Sequence, residues 1–379
     1  MEKRMVFIVH WVESWNWLLK FSKGLNENPE KAWMFFALAP IYKLMSVVYL
    51  FSKKSHDVVD VYKFKDLVGE TRVIRNFGWS FFIKKFRPLI LERIFNTVLV
   101  SQGDDPARYP GAIGLGALTK AEWLTAGGKL IVDVLGEKLR VPLVHGDTLT
   151  AAALIRTAVK LIDKFSVISP IAITGATSKI GRPACIVLAA KRGLVIKMYT
   201  KSQQRFEEIK KEADAYGCGH LLRQVTSLKD LSDCKLWITG KAIPSGKKLL
   251  RAMPKNSIAL NFSVPNPLTR GNLKNRKDVY SVEGGLLAYD PSITTLSFTM
   301  RLRPGLTYAC HAGTMVHAAK GWTHHEVGQV AVDTLHETWK AANDLGFFLP
   351  EFPIEQKVMP KKGRLGWKIQ NLAHQLGIF

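Results

Sequence analysis

Apolar runs at 167–174, 194–199, 235–239, 257–262 and 279–282 alternate with stretches of helical periodicity at 181–192 and 204–216. A strand that returns parallel to its predecessor needs a crossover of about a dozen residues, and a helix of that length supplies it. The pattern predicts an α/β fold whose centre, over residues 166–303, is a Rossmann-like, doubly wound parallel sheet. Before it, apolar runs at 5–9, 33–38, 45–51, 58–62, 112–118 and 139–144 precede a helical period at 148–164, for which Thr148 is a candidate cap. Residues 1–165 therefore read as an N-terminal α/β lobe. After the Pro304-Gly305 break, helical periodicity over 310–322 and 327–345 gives a C-terminal helical segment, 304–350. Pro350 and Pro353 end it, and a basic tail follows at 351–379.

The first strand of the central region runs into Thr174-Gly175-Ala176-Thr177-Ser178-Lys179-Ile180-Gly181, and a helix follows. A glycine after a first strand lets the backbone turn tightly against a diphosphate, and a glycine at the helix start lets helix and strand pack closely. Gly175 and Gly181 suit those two tasks, whereas Thr177 stands where the middle glycine of a dinucleotide fingerprint would be. Free N–H groups at the helix start favour an anion, to which Lys179 or Arg182 would add charge. The pyrophosphate would rest on Gly175, Ala176, Thr177, Ser178, Lys179, Ile180 and Gly181.

At the end of the second strand an acidic residue usually holds the ribose hydroxyl of NAD. Here Thr200, Lys201, Ser202 and Arg205 come first and no carboxylate appears before Glu207. Hydroxyls and cations suit a ribose phosphate, so NADPH is the expected cofactor. Thr239, Gly240, Gly284 and Gly285 follow later strands, on the side of a parallel sheet where ligands bind, and are candidates for the nicotinamide region, as are the loops 239–241 and 262–265.

Cys310 follows the Pro304-Gly305 break by a few residues, in what reads as the first turn of a helix. A helix N-terminus or an imidazole lowers a thiol pKa, and a thiolate attacks a thioester well. Cys310 is the candidate nucleophile, with His311 beside it in sequence; consecutive helical side chains diverge by about 100°, so adjacency does not aim the ring at the sulfur. Thr314 and His317 share the cysteine's face, His317 roughly 10 Å along the axis. Cys185 and Cys234 read as buried small hydrophobes, and Cys218 as a loop residue with no partner in sequence. His324-His325-Glu326 lacks the spacing of a metal site and reads as a cap for a helix beginning near Val327; no metal is expected.

The formal net charge of +23 asks for a negative partner or simply marks a soluble basic surface. No finger, helix-turn-helix or RNA-binding sheet motif is present, so nucleic acid is not expected; an acidic carrier protein or an anionic membrane surface remains. The four cysteines are too widely spaced for a redox or metal motif, and Met1 to Phe7 is too charged to open a secretory signal. A cytoplasmic location, with peripheral membrane contact open, is the expectation. The run 33–51 holds Pro40 and Lys43 near its middle and reads as buried elements rather than a span. Residues 75–95 interleave Phe77, Trp79, Phe81, Phe82 and Phe86 with Lys84, Lys85 and Arg87, a composition suited to an interface. In the tail, Ile369, Leu372, Leu376 and Phe379 recur behind Lys361, Lys362, Arg364 and Lys368, which fits a bilayer surface or an ordinary terminal helix.

Three strings carry a family likeness: Val144-His145-Gly146-Asp147-Thr148-Leu149-Thr150-Ala151-Ala152, the turn 174–181, and Ala309-Cys310-His311-Ala312-Gly313 with Gly321-Trp322-Thr323-His324-His325-Glu326-Val327-Gly328. Together they resemble the C-terminal domain of the plant eceriferum wax-alkane proteins. More distantly, with Leu38-Ala39-Pro40 and Val282-Glu283-Gly284-Gly285, the order of parts resembles cyanobacterial long-chain acyl-ACP reductase. The likeness implies an enzyme of wax and alkane lipid metabolism that reduces a fatty acyl thioester with NADPH to a fatty aldehyde through an acyl-cysteine at Cys310. An aldehyde-consuming partner enzyme would follow. Ser178 and Lys179 depart from the cyanobacterial pattern, where a glycine and an acidic residue stand. The rival expectation is a non-catalytic acyl-binding subunit of a wax-forming complex. A short-chain alcohol dehydrogenase would need a Tyr-x-x-x-Lys pair, and none is suitably placed.

Overall fold

The computed structural model describes residues 3–11, 44, 47–240, 246–263, 266–268, 270–295, 302 and 304–351. Most of the run 33–51, Leu38-Ala39-Pro40, Lys241, Val264, Pro265 and the basic tail beyond Glu351 lie outside the described residues.

In chain order the first lobe contains β1 (Lys3–Trp11), β2 (His56–Phe64), β3 (Leu67–Phe77), α1 (Arg87–Gln102), β4 (Ala112–Leu115), β5 (Leu143–Val144) and α2 (Asp147–Lys164). The second contains β6 (Ile171–Thr174), α3 (Gly181–Arg192), β7 (Ile196–Tyr199), α4 (Gln203–Ala215), β8 (Leu222–Val225), β9 (Leu236–Thr239), α5 (Gly246–Ala252), β10 (Ile258–Asn261) and β11 (Tyr280–Glu283). A hairpin of β12 (Leu286–Ala288) and β13 (Leu306–Tyr308) leads into α6 (Ala309–Lys320) and α7 (Leu335–Leu345).

The second sheet runs β11-β10-β9-β6-β7-β8, every pairing parallel. Counted from β6 this is the 3-2-1-4-5-6 order of a doubly wound dinucleotide-binding sheet. The predicted strands are all present, and β8 is added. Leu222-Arg223-Gln224-Val225 buries only its first residue on an edge, so no apolar run advertises it.

The first sheet runs β2-β3-β1-β4-β5 and is parallel except for the edge strand β2. Alternate residues of β1 serve two cores, as a strand with both faces covered requires. Met5, Phe7 and Val9 face α2 and α6, while Val6 and Ile8 face α1. The inner core is shared with the second sheet, and Ala172, Trp237 and Ala259 build a third core on that sheet's far face.

The helical segment predicted after Pro304 therefore does not stand apart. α6 packs on β1, β4 and α2, inside the first lobe, and α7 packs on α2. Its second predicted helix starts later than expected: residues 327–334 are not helical and α7 begins at Leu335. No described helix is long and apolar enough to cross a membrane.

Candidate functional site

Ligands of open parallel sheets bind beyond the carboxyl ends of the strands. In this molecule β4, β5 and β6 lead at those ends to Lys120, Asp147 and Lys179, and the three side chains meet. Lys120 Nζ donates to Asp147 Oδ1 at 2.5 Å and to the His145 carbonyl at 2.7 Å, and Lys179 Nζ lies 3.1 Å from Asp147 Oδ2. All three are nearly buried, with two cations against one carboxylate. Burial pushes the Asp147 carboxyl up, but the Lys120 and Lys179 ammonium groups outweigh it and hold the acid well below the usual carboxylate range. Burial likewise opposes the charge on Lys120, and Asp147 overcomes it, so Lys120 stays protonated.

The start of α2 sits there because Gly146 caps it in the left-handed region, at φ +65°; Thr148, the predicted cap, lies inside the helix. A side chain at Gly146 would place its Cβ 2.1 Å from the Cys310 carbonyl oxygen, so only glycine lets the starts of α2 and α6 touch. That contact brings Cys310 to the lysine cluster. Cys310 is half-buried in the first turn of α6; Cys185 and Cys234 are buried, as the sequence reading expected, and Cys218, read as a loop residue, is buried too. The expected lowering of its pKa does not occur. Burial pushes the thiol up and the pull of Lys120 does not cancel it, so Cys310 is a thiol at neutral pH.

His311 is turned away from the sulfur into the first-lobe core, which corrects its expected catalytic role. Its Nε2 is 2.5 Å from the Tyr62 hydroxyl, its Nδ1 is 3.1 Å from Thr307 Oγ1, and its ring lies 4.6 Å from that of Phe7. Burial pushes its pKa down to about 3. His317 is also buried; its Nε2 pairs with the His324 carbonyl at 3.0 Å, and burial lowers it to about 4.

The His324-His325-Glu326 segment caps a different helix from the one predicted. It runs beside β5, with the His145 N–H donating to the Glu326 carbonyl at 2.8 Å and the Leu143 N–H to His325 Nδ1 at 3.0 Å. The Glu326 carboxylate then accepts from the Thr148 N–H at 3.2 Å and lies 2.9 Å from His145 Nδ1, serving the start of α2. Burial raises Glu326, but the His145 contact outweighs it and leaves the acid below its ordinary value. Among the described residues no group of His, Cys, Asp and Glu is arranged to hold a metal.

The turn expected to take a dinucleotide is tightly closed on itself. Gly175 has φ +77°, and a Cβ on Gly181 would sit 2.2 Å from the Gly175 carbonyl oxygen. Ser178 closes the turn: its N–H donates to Gly175 O and its Oγ accepts from the Gly181 N–H, both at 3.0 Å. Ala176 is buried, Thr177 is part-exposed, and Ile180 enters α3 without a side-chain cap. The cations expected at the pyrophosphate are both engaged elsewhere. Lys179 turns to Asp147, and Arg182 pairs with Glu212 and the Val330 carbonyl.

At the end of β7 the four predicted residues divide. Thr200 Oγ1 accepts from the Ser202 N–H at 3.2 Å, and Ser202 Oγ caps α4 through the Arg205 N–H at 3.3 Å; the side chains of Lys201 and Arg205 are exposed. Thr239 Oγ1 donates to Asn261 Oδ1 at 3.3 Å, and the Gly240 N–H donates to the Thr174 carbonyl at 2.9 Å. Gly284 donates to the Asn261 carbonyl at 2.6 Å, and the Gly285 carbonyl accepts from the Ala309 N–H at 2.9 Å. Between them Glu283 accepts from Asn261 at 3.0 Å and from Asn266, and burial raises its pKa against those two hydrogen bonds.

Sequence reasoning missed Lys120, the pairing role of Asp147 and which helix Glu326 caps. Asp147 and Glu326 stood inside the family strings, whereas nothing near Lys120 in sequence marks it.

Residues 171–349 match the family described as CER1-like, C-terminal domain. The very-long-chain aldehyde decarbonylase GL1-2 of Oryza sativa subsp. indica is 33% identical over 75% of this chain and 42% of its own length. GL1-1 of the same subspecies, with the same activity name, is 31% identical over 75% of this chain and 43% of its own. The chain thus spans less than half the length of these relatives. A crystal structure provisionally named an NADPH:quinone reductase, from Mesorhizobium loti, aligns over 52% of this chain and 48% of its own at 13% identity, with a TM-score of 0.28, too slight to carry an argument. The likeness to the plant wax-alkane proteins holds. The expected activity does not: the relatives are named for an aldehyde as the molecule acted on, whereas the sequence reading made an aldehyde the product of an acyl thioester.

Proposed function

We propose that this chain, whose residues 171–349 match the CER1-like C-terminal domain, is a dinucleotide-binding, aldehyde-handling enzyme, or enzyme part, of very-long-chain wax and alkane metabolism. One observation carries the reading: both parallel sheets turn their carboxyl ends to the same seam, where a charged lysine, Lys120, lies beside Cys310 and is tied through Asp147 to the dinucleotide turn. An ammonium held charged in a nearly buried site is a strong donor to a carbonyl oxygen and stabilises negative charge that develops there. Asp147 keeps the proton on Lys120, and the Cys310 thiol borders the same space.

The glycine positions of the turn fit a dinucleotide, because a Cβ on Gly175 would press on Gly240 and one on Gly181 on the turn's own carbonyl, so that only glycines let strand, turn and helix pack this closely. With Lys179 and Arg182 engaged, and the Gly181 and Arg182 N–H groups bonded to Ser178, the backbone of the turn ahead of α3, residues 175–180, would hold it. Lys201 and Arg205 would meet the extra phosphate of NADPH, which when bound supplies a hydride.

The test is a fluorescence titration of the purified chain with NADPH and NADH, followed by assay of reduced nicotinamide with a very-long-chain aldehyde. Tighter binding of NADPH and aldehyde-dependent oxidation that falls by roughly 100-fold or more in Lys120→Met are expected. A chain that binds neither dinucleotide, or a Lys120→Met variant as active as the parent, overturns the reading.

A further inference from the structure

The carboxyl end of the first sheet carries an aromatic surface that the site does not use. Where β3 ends, a short helix (Gly78–Phe81) leads to Phe82 and Ile83, and where β4 ends, a second (Glu122–Thr125) carries Trp123. Phe82 is 67% exposed, Ile83 41% and Trp123 44%, and the Phe82 and Trp123 rings stand 6.0 Å apart. Phe51, 67% exposed, extends the surface through Phe86, its ring 6.5 Å away. Large apolar side chains clustered in water are costly and mark a surface meant to be covered.

The charge around the cluster selects what covers it. Lys53, Lys84 and Lys85 are exposed at its rim, and the Arg87 guanidinium lies 4.8 Å from the Trp123 ring centre, while Glu122 is the acidic neighbour in the same short helix. Aromatic rings that sit at headgroup depth, ringed by cations that reach phosphates, are what an anionic bilayer surface binds. We infer that this face docks on an anionic lipid bilayer, with Phe51, Phe82, Ile83 and Trp123 entering the interface and Lys84 and Lys85 meeting lipid phosphates. Trp123 lies three residues beyond Lys120, so docking sets the mouth of the seam against the phase in which a long-chain lipid dissolves. The docking stands on the surface alone and does not depend on the aldehyde reading.

Cosedimentation of the full chain with phosphatidylcholine vesicles, with and without phosphatidylserine, tests it. Binding that requires phosphatidylserine and weakens with added salt is expected. Phe82→Gln with Ile83→Gln, both surface changes, should weaken binding at least about tenfold by removing apolar area that would otherwise be buried. Lys84→Glu with Lys85→Glu should abolish the phosphatidylserine preference. Lipids brominated on the upper acyl chain should quench tryptophan emission in the parent and less in Trp123→Phe. Thermal unfolding of each variant followed by circular dichroism, expected to match the parent, separates loss of docking from loss of fold. Failure of the parent chain to sediment with either vesicle, or equal binding by the Phe82 and Ile83 variant, overturns the inference. So does a self-associated chain that ignores vesicles and falls to monomer on Phe82→Gln, which assigns the face to a second copy.

Discussion

Two helices begin at the seam, and they are built in opposite ways. The start of α3 is assembled from eight consecutive residues, 174–181, whose glycines and serine close the turn on themselves. The start of α6 is assembled from the whole chain: Gly146 from before α2, Lys120 from after β4, and Lys179 from the other lobe through Asp147. A local turn tolerates distant change and advertises itself in sequence. A composite site does neither, and Lys179, which belongs to the turn yet reaches into the composite site, joins the two.

The sharpest way to break that contrast is Asp147→Asn, which leaves two buried lysines facing each other without a counter-charge. A loss of about 3–5 kcal/mol in urea unfolding is expected, since removal of one partner strands buried charge. If the turn is independent of the composite site, dinucleotide affinity at a temperature where the variant is folded stays near that of the parent; a parallel loss would make the two sites one. Next come Gly146→Ala and Gly181→Ala, each setting a Cβ against a carbonyl oxygen, at about 2–3 kcal/mol. Gly146→Ala should disturb Cys310, read as a changed rate of thiol alkylation, whereas Gly181→Ala should weaken dinucleotide binding and leave alkylation alone.

A smaller effect separates the histidines from the acids by pH. His311 has its folded pKa lowered to about 3 by burial, so the unfolded chain binds the proton first as pH falls below about 6.5. The stability it contributes is complete above that pH and is lost progressively down toward about 3, at up to about 1.4 kcal/mol per pH unit. His317, lowered to about 4, adds to the same limb. Asp147 is also depressed, but its contribution begins to fade only below about pH 4. Unfolding midpoints measured across pH should therefore slope between about 6.5 and 4 before the acids act, and a His311→Phe variant should show a shallower slope. The least costly change is Lys201→Glu with Arg205→Glu, within about 0.5 kcal/mol in stability for exposed residues, yet expected to erase any preference for NADPH over NADH.

The same contrast explains what could be read from sequence. The second sheet and its first turn were legible because strand, glycine and helix follow one another within a few residues. β8 was not, because an edge strand of Leu222-Arg223-Gln224-Val225 has no apolar run to show. His311 was placed beside Cys310 by adjacency along the chain, and helical divergence sends it to Tyr62 instead. Thr148 looked like a cap because it is a threonine before an apolar helix; the position is decided by the close approach of Cys310, which only Gly146 permits. Lys120 was invisible because what defines it, a carboxylate and a thiol, lies 27 and 190 residues further on, counting to Asp147 and Cys310.

The packing of α6 on β1 sets an order of events during synthesis. The inner face of β1, with Phe7 and Met5, is made well before the helix that covers it, which follows some 300 residues later, counting from Lys3–Trp11 to Ala309–Lys320. At about 5–20 residues per second the nascent chain holds that apolar face uncovered for on the order of half a minute. The second lobe, whose strands are contiguous, can close during that interval, so a strand made before that lobe is covered only after it. A chaperone that shelters exposed strands should be found on ribosomes translating this message until α6 has emerged.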